Sequence, residues 1–144
     1  MATVDDLLAR KGTHVYTVPP RASVLEAVRR MNEYRVGALV VMDDYRIRGI
    51  FTERDVLRRV VADERLPSEV RVQEVMSEDI LCVRPGTPVD QVARILKDRR
   101  IRHLPVCDEE GRVLGLVSIG DVNAFHASDQ EATIHLLNEL FCAR

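Results

Sequence analysis

With 144 residues, 46% apolar and 31% charged, the chain has the make-up of an ordinary globular protein: one compact domain, or two small halves sharing a core. A net charge of −2 and the lack of Trp argue against nucleic acid as a partner, since neither a broad basic footprint nor a base-stacking platform is available. No apolar run reaches membrane-spanning length, the acidic start Met1-Ala2-Thr3-Val4-Asp5-Asp6 does not read as a signal peptide, and three scattered cysteines (Cys82, Cys107, Cys142) suit a reducing cytoplasm better than a disulfide frame or a zinc site.

Val15-Tyr16-Thr17-Val18 opens as a short extended segment and runs into Pro19-Pro20. Ser23-Val24-Leu25-Glu26 is a capping box, and Val24, Ala27, Val28 and Met31 behind it share one face of a predicted helix. Ala38–Met42 and Ile47–Phe51 read as strands split by a turn at Asp43-Asp44, and a second helix is expected to start near Asp55. Glu64–Val72, with Pro67 and several charges, reads as a connector.

The same order then recurs. Ile80-Leu81-Cys82-Val83 is extended, and Thr87-Pro88-Val89-Asp90 signals a helix start with Pro88 at its first position. Val89, Val92, Ala93 and Leu96 form the apolar face. Leu104–Cys107 and Arg112–Val117 are split by Asp108-Glu109-Glu110-Gly111, and a helix begins near Asp121. Asp129–Arg144 reads as an extra amphipathic helix, with Ile134, Leu137, Leu140 and Phe141 spaced to cover the core or to meet another subunit.

The two halves align at an offset of 65 residues, as in Val18 on Val83, Pro20 on Pro85 and Arg35 on Arg100. One inserted residue makes the offset 66, as in Gly49 on Gly115, Thr52 on Ser118 and Asp55 on Asp121. The expected fold is α+β: two pseudo-symmetric β-α-β-β-α repeats packed through their sheets, plus a C-terminal helix. The expected units are residues 3–64, a linker at 65–72, a second repeat at 73–127, and the helix at 128–144.

Chemistry concentrates where the third strand of each copy meets its second helix. Gly49-Ile50-Phe51-Thr52-Glu53-Arg54-Asp55 matches Gly115-Leu116-Val117-Ser118-Ile119-Gly120-Asp121. Thr-x-x-Asp and Ser-x-x-Asp are capping boxes, and the same helix N-terminus can attract phosphate through its N–H groups and dipole. Runs such as Arg29-Arg30 and Arg99-Arg100 read as solvated helix faces, and Cys107 as a core residue. Neither a phosphate-binding Walker loop nor a dinucleotide fingerprint is present, and no nucleophile–base pair can be assembled, so an enzyme is not expected.

Both copies resemble CBS domains, and the chain resembles a stand-alone tandem CBS pair over about residues 3–127. The resemblance rests on the paired Gly-x-x-Ser/Thr-x-x-Asp motifs and on Ile101-Arg102-His103-Leu104-Pro105-Val106. It implies an adenine-nucleotide ligand (AMP, ADP, ATP, NADH or S-adenosylmethionine) in clefts between the copies, with no cofactor required. Asp55 and Asp121 would hold ribose, with Thr52 and Ser118 near the phosphates. It also implies crosswise sites: Thr17, Val18, Gly37 and Ala38 with Ser118 and Asp121, and Cys82 and Val83 with Thr52, Arg54 and Asp55. Arg102 and His103 are expected to favour phosphate in the Asp121 pocket, with the Asp55 pocket depending on Arg54. The implied role is regulatory energy sensing in the cytoplasm, through a homodimer or an unknown effector protein. The alternative is a ligand-independent scaffold with degenerate pockets.

Overall fold

A computed structural model describes the backbone of residues 1–142, and the side chains of these except at 129, 131–133, 141 and 142. Helix α1 (Val4–Lys11) comes first, then β1 (Thr17–Val18), α2 (Val24–Tyr34), β2 (Ala38–Asp43) and β3 (Arg46–Thr52). Helix α3 (Glu53–Val56) widens into a π-helical turn at Leu57–Val61. After a 3₁₀ turn at Pro67–Glu69 come α4 (Val72–Val75), α5 (Val89–Arg99), β4 (His103–Cys107), β5 (Val113–Ser118) and α6 (Ile119–Cys142). The repeat is therefore β-α-β-β-α, except that the first strand of the second copy shrinks to one parallel bridge, Val83 with Val106.

Strand β1 lies parallel to β2, and β2 antiparallel to β3, while β4 and β5 form the equivalent antiparallel pair. Both hairpins carry a bulge at matched places, Val41/Met42 and Val106/Cys107. The first turns tightly through Asp44 and Tyr45, both at positive φ (49° and 65°), as a two-residue hairpin loop requires. The second needs a longer loop, in which the Asp108 carboxylate accepts the N–H groups of Glu110 and Arg112 (2.9 Å each). The inserted residue of the second copy is absorbed here.

Helix α2 starts as expected, with the Ser23 hydroxyl accepting the Glu26 N–H (3.1 Å). Helix α5 departs from expectation. Pro88 is the cap residue and not the first helical one, while the Thr87 hydroxyl accepts the Arg84 N–H (3.1 Å). The Arg30 guanidinium is not simply a solvated charge, because it donates to the Thr17 carbonyl (2.5 Å).

The two cores are completed crosswise. Val4, Leu7 and Leu8 of α1, which comes before the first strand of the first copy, are buried among Val89, Leu96, Leu104 and Val117 of the second. The Val4 N–H donates to the Thr87 carbonyl (2.8 Å), and the Val89 N–H to Ala2 (3.0 Å). In turn Val70, Val72 and Val75, which come before the first strand of the second copy, are buried with Val24, Leu39 and Phe51 of the first. The Val24 N–H donates to Val70 (2.8 Å), and the Val72 N–H to Ala22 (2.9 Å).

The C-terminal segment is not a separate helix laid over the core. It continues α6, and Ile134, Leu137 and Leu140 stand in solvent with Leu136 (45–68% exposed). Phe141, placed on the same face by its spacing, lies outside the described side chains. No described helix is long and apolar enough to cross a membrane.

Candidate functional site

Each strand–helix junction is built the same way. The Thr52 N–H donates to Asp55 Oδ2 (2.9 Å), and the Asp55 N–H donates back to Thr52 Oγ1 (3.4 Å). The Ser118 N–H donates to Asp121 Oδ2 (2.8 Å), and the Asp121 N–H to Ser118 Oγ (3.1 Å). The first helical N–H is also engaged in both copies, Glu53 to the Gly37 carbonyl (3.1 Å) and Ile119 to that of Arg102 (2.9 Å). The motif thus caps each helix and holds its carboxylate in a fixed orientation. What remains for a ligand is chiefly the carboxylate itself.

Among the described residues, two of the cavities run between the hairpins of the two copies, and each draws on both. One, of about 230 Å³, is lined from the first copy by Thr52, Arg54, Asp55, Arg58 and Arg59, and from the second by Ile80, Leu81, Arg100, Arg102, Leu104 and Pro105. The other, of about 650 Å³, is lined by Lys11, Tyr16, Arg35, Gly37 and Ala38 together with Leu116, Ser118 and Asp121. His103 reaches both, and Gly37 lies at the rim of both.

The structure therefore brings Gly37 and Ala38 to Ser118 and Asp121, and brings second-copy residues to Thr52, Arg54 and Asp55. It does not bring Thr17, Val18, Cys82 or Val83 to either cavity. Val18 and Val83 are buried in the two cores, and the walls are made by the residues just upstream, Tyr16 in one cleft and Ile80 and Leu81 in the other. Arg102 is also displaced from its expected place. It lines the Asp55 cleft and not the Asp121 cleft, because β4 faces the junction of the opposite copy.

Asp55 and Asp121 differ in their electrostatics. Asp55 is the sole buried charged residue among those described (7% exposed). Burial pushes its pKa up, against the Thr52 hydrogen bonds and the nearby Arg59 charge. Arg59 is itself fixed, donating to the Val75 and Met76 carbonyls (3.0 and 3.1 Å). At Asp121 burial also acts upward, but Lys11 and Ser118 outweigh it and hold the carboxyl below its usual range. Lys11 Nζ donates to Asp121 Oδ2 at 2.6 Å and also to the Leu116 carbonyl. One carboxylate is thus covered by an internal cation, and the other faces a cavity bordered by five arginines.

His103 Nδ1 is buried and has no hydrogen-bond partner among the described residues. Burial, followed by the Lys11 charge, lowers its pKa, so the ring favours its neutral form. It lines the Asp121 cleft and the Asp55 cleft alike.

Arg35, Arg58, Arg59, Arg100, Lys11 and Tyr16 line the clefts but are not among the site residues expected from the sequence. Arg35 and Arg100 are the matched C-caps of α2 and α5, both left-handed (φ 56° and 55°), and each borders one cleft. Glycine or Asn is the usual residue at such a cap, so an arginine repeated there at the period of the duplication was the available signal.

The architecture is that of a two-copy module whose clefts are each lined by residues of both copies. The CBS domain family model matches residues 4–62 and 72–126, and the chain belongs to this family. It is 30% identical over 138 residues to the CBS domain-containing protein YhcV of Bacillus subtilis, covering 96% of this chain and 95% of the relative. It is 39% identical over 105 residues (69% of the chain) to the mitochondrial CBS domain-containing protein CBSX3 of Arabidopsis thaliana, of whose length the match spans only 50%. Among solved structures, a protein with CBS domains from Burkholderia ambifaria MC40-6 superposes with a TM-score of 0.86 at 39% identity, covering 90% of this chain and 96% of that one. The CBS domain pair of MJ0100, solved with 5-methylthioadenosine and S-adenosyl-L-methionine, shares the fold (TM-score 0.79, 22% identity, 90% and 98% covered).

Proposed function

We propose that the chain is a regulatory, non-catalytic module that binds an adenosyl ligand of the AMP, ADP, ATP, NADH or S-adenosylmethionine type, with the Asp55 cleft as its main site. The observation that carries this reading is the buried Asp55 carboxylate in a cavity where five arginines outnumber the acidic residues Glu53, Asp55 and Asp79, beside the apolar Ile80 and Leu81. A carboxylate without a cation on it accepts both hydroxyls of a ribose. Arg54, Arg100 and Arg102 offer bidentate donors to phosphate, and the half-buried Ile80 and Leu81 offer apolar surface to a base. The adenosyl compounds held by the MJ0100 pair support this class of ligand.

In the Asp121 cleft a ligand would first displace Lys11, so we place the weaker site there, with Gly37, Ala38 and Ser118 around it. Because each cleft takes residues from both copies, ligand affinity depends on the angle between them. Occupancy then favours one arrangement by the difference in affinity, and no more. We assign the output to an effector protein or to a homodimer formed through the exposed leucines of α6, in the cytoplasm.

Calorimetry and thermal melting with AMP, ADP, ATP, NADH and S-adenosylmethionine test the reading. A ligand at about 100 times its Kd adds about 2.7 kcal/mol to stability. Asp55→Ala removes charged hydrogen bonds worth about 1.5–3 kcal/mol, a loss of roughly 10- to 100-fold in affinity. Asp121→Ala is expected to cost the main site less than about 3-fold, well under the 1.4 kcal/mol of a tenfold change. Equal losses would overturn the asymmetry, and no melting shift with any ligand would leave the scaffold reading.

A further inference from the structure

We propose that Cys82 and Cys107 form a reversible intramolecular disulfide, a thiol–disulfide site within the second copy that needs no bound nucleotide. The two sulfurs lie 2.9 Å apart although the residues are 25 positions apart in sequence. A disulfide bond is about 2.03–2.05 Å long, so closure asks for a movement of under about 1 Å. The backbone already holds the pair together. The Val83 N–H donates to the Pro105 carbonyl and the Cys107 N–H to the Val83 carbonyl (2.9 Å each), on either side of the Val83–Val106 bridge.

The two thiols differ in access. Cys82 is exposed and Cys107 is buried. Burial, then the adjacent Cys82 thiol, pushes Cys107 up to about 12. The order of steps follows from this contrast. With a small-molecule disulfide such as oxidised glutathione, the Cys82 thiolate attacks one sulfur and releases one glutathione thiolate, leaving a mixed disulfide on Cys82. Cys107 then loses its proton to solvent and attacks Cys82 Sγ, releasing the second glutathione. Two protein thiols and one oxidised glutathione become one protein disulfide and two reduced glutathiones. The bond pins the segment after Leu81 to β4, whose Leu104 and Pro105 line the Asp55 cleft.

The test uses the full chain carrying Cys142→Ser, equilibrated in glutathione buffers of stepped redox ratio, then acid-quenched, alkylated and weighed by mass spectrometry. The expected result is joint loss of both thiols with a mass decrease of two hydrogens and no lasting glutathione adduct. Adding Cys107→Ser makes the adduct accumulate on Cys82. Because Cys107 is buried and its variant can misfold, Cys82→Ser at the exposed position supplies the second arm, in which Cys107 stays a thiol across the series. A glutathione adduct persisting on Cys82 in the presence of Cys107, or two free thiols in the most oxidising buffer, would overturn the proposal.

Discussion

A methyl group added at Gly49 should damage the protein much more than the same group at its repeat partner Gly115. Neither glycine has a positive φ, so space alone decides. A Cβ on Gly49 would sit 2.7 Å from the Ser77 carbonyl oxygen and 2.8 Å from Met76 Sδ. Met76 can turn aside, but the Ser77 carbonyl accepts the Ile50 N–H (3.0 Å) and the Ser77 N–H donates back to Ile50 (2.9 Å), so it cannot retreat without breaking both bonds. Overpacking against backbone lies at the upper end of the usual range, about 3 kcal/mol. The smaller conformational freedom of unfolded Ala returns about 0.4–1 kcal/mol, leaving a net loss of about 2 kcal/mol. At Gly115 the added Cβ meets only the tip of the Leu8 side chain (2.9 and 3.1 Å), which can rotate. A cost of about 1 kcal/mol there is nearly cancelled by the same return. For a chain of this size about 1 kcal/mol moves Tm by roughly 4 °C, so Gly49→Ala should melt about 8 °C lower and Gly115→Ala within about 2 °C of the parent. Differential scanning calorimetry of both variants decides the matter. Equal drops, or a larger drop for Gly115→Ala, would refute the claim that backbone contact sets the cost.

The two motif aspartates should respond to pH with opposite sign. Asp55 has a raised pKa in the folded state, so its contribution favours the fold below the ordinary value of 3.8 and is lost as pH rises through the folded value. Asp121 is lowered, so it stabilises above 3.8 and loses that contribution as pH falls through its folded value. In urea melts from pH 3 to 8, Asp55→Asn should gain on the parent as pH rises. Asp121→Asn should be weaker at pH 7, by about 1 kcal/mol or less for a pair this exposed, and should converge at acid pH. Gaps of the same sign for both would contradict the assignment. On α6, Leu137→Glu with Leu140→Glu should weaken self-association in light scattering and lower Tm only by the share that the dimer contributes, since both side chains are exposed within one chain. An unchanged molar mass across concentrations would remove α6 from the interface.

Much of the first level of structure was legible in the chain. The duplicated pattern of caps, apolar faces and hairpins located α2, α5 and both sheets, because each depends on neighbours within a few residues. Helix α1 was not found. Its eight residues bury only Val4, Leu7 and Leu8, and their partners lie beyond residue 80, so nothing nearby marks them as core. The motif carboxylates were readable because the capping box is local. The cleft assignment of Arg102 was not, since it depends on which copy's junction β4 faces. Arg30 was misjudged for a related reason: a charge at a helix back reads as solvated until tertiary structure supplies a carbonyl, whereas Arg100 is exposed as expected and also borders a cleft.

The crossed completion of the two cores has a bearing on how this chain can be cut. Its repeating unit, as written in the sequence, is not the unit that folds. A fragment divided in the connector after residue 64 would carry α1 without the core it fills, while leaving behind Val70, Val72 and Val75, which its own core requires. The other fragment would lack the reverse pieces. Neither half should be independently stable, yet mixing the two should reconstitute both cores, each strand of the cut chain supplying the other's missing wedge. Two whole chains could satisfy the same contacts by exchanging α1 between them.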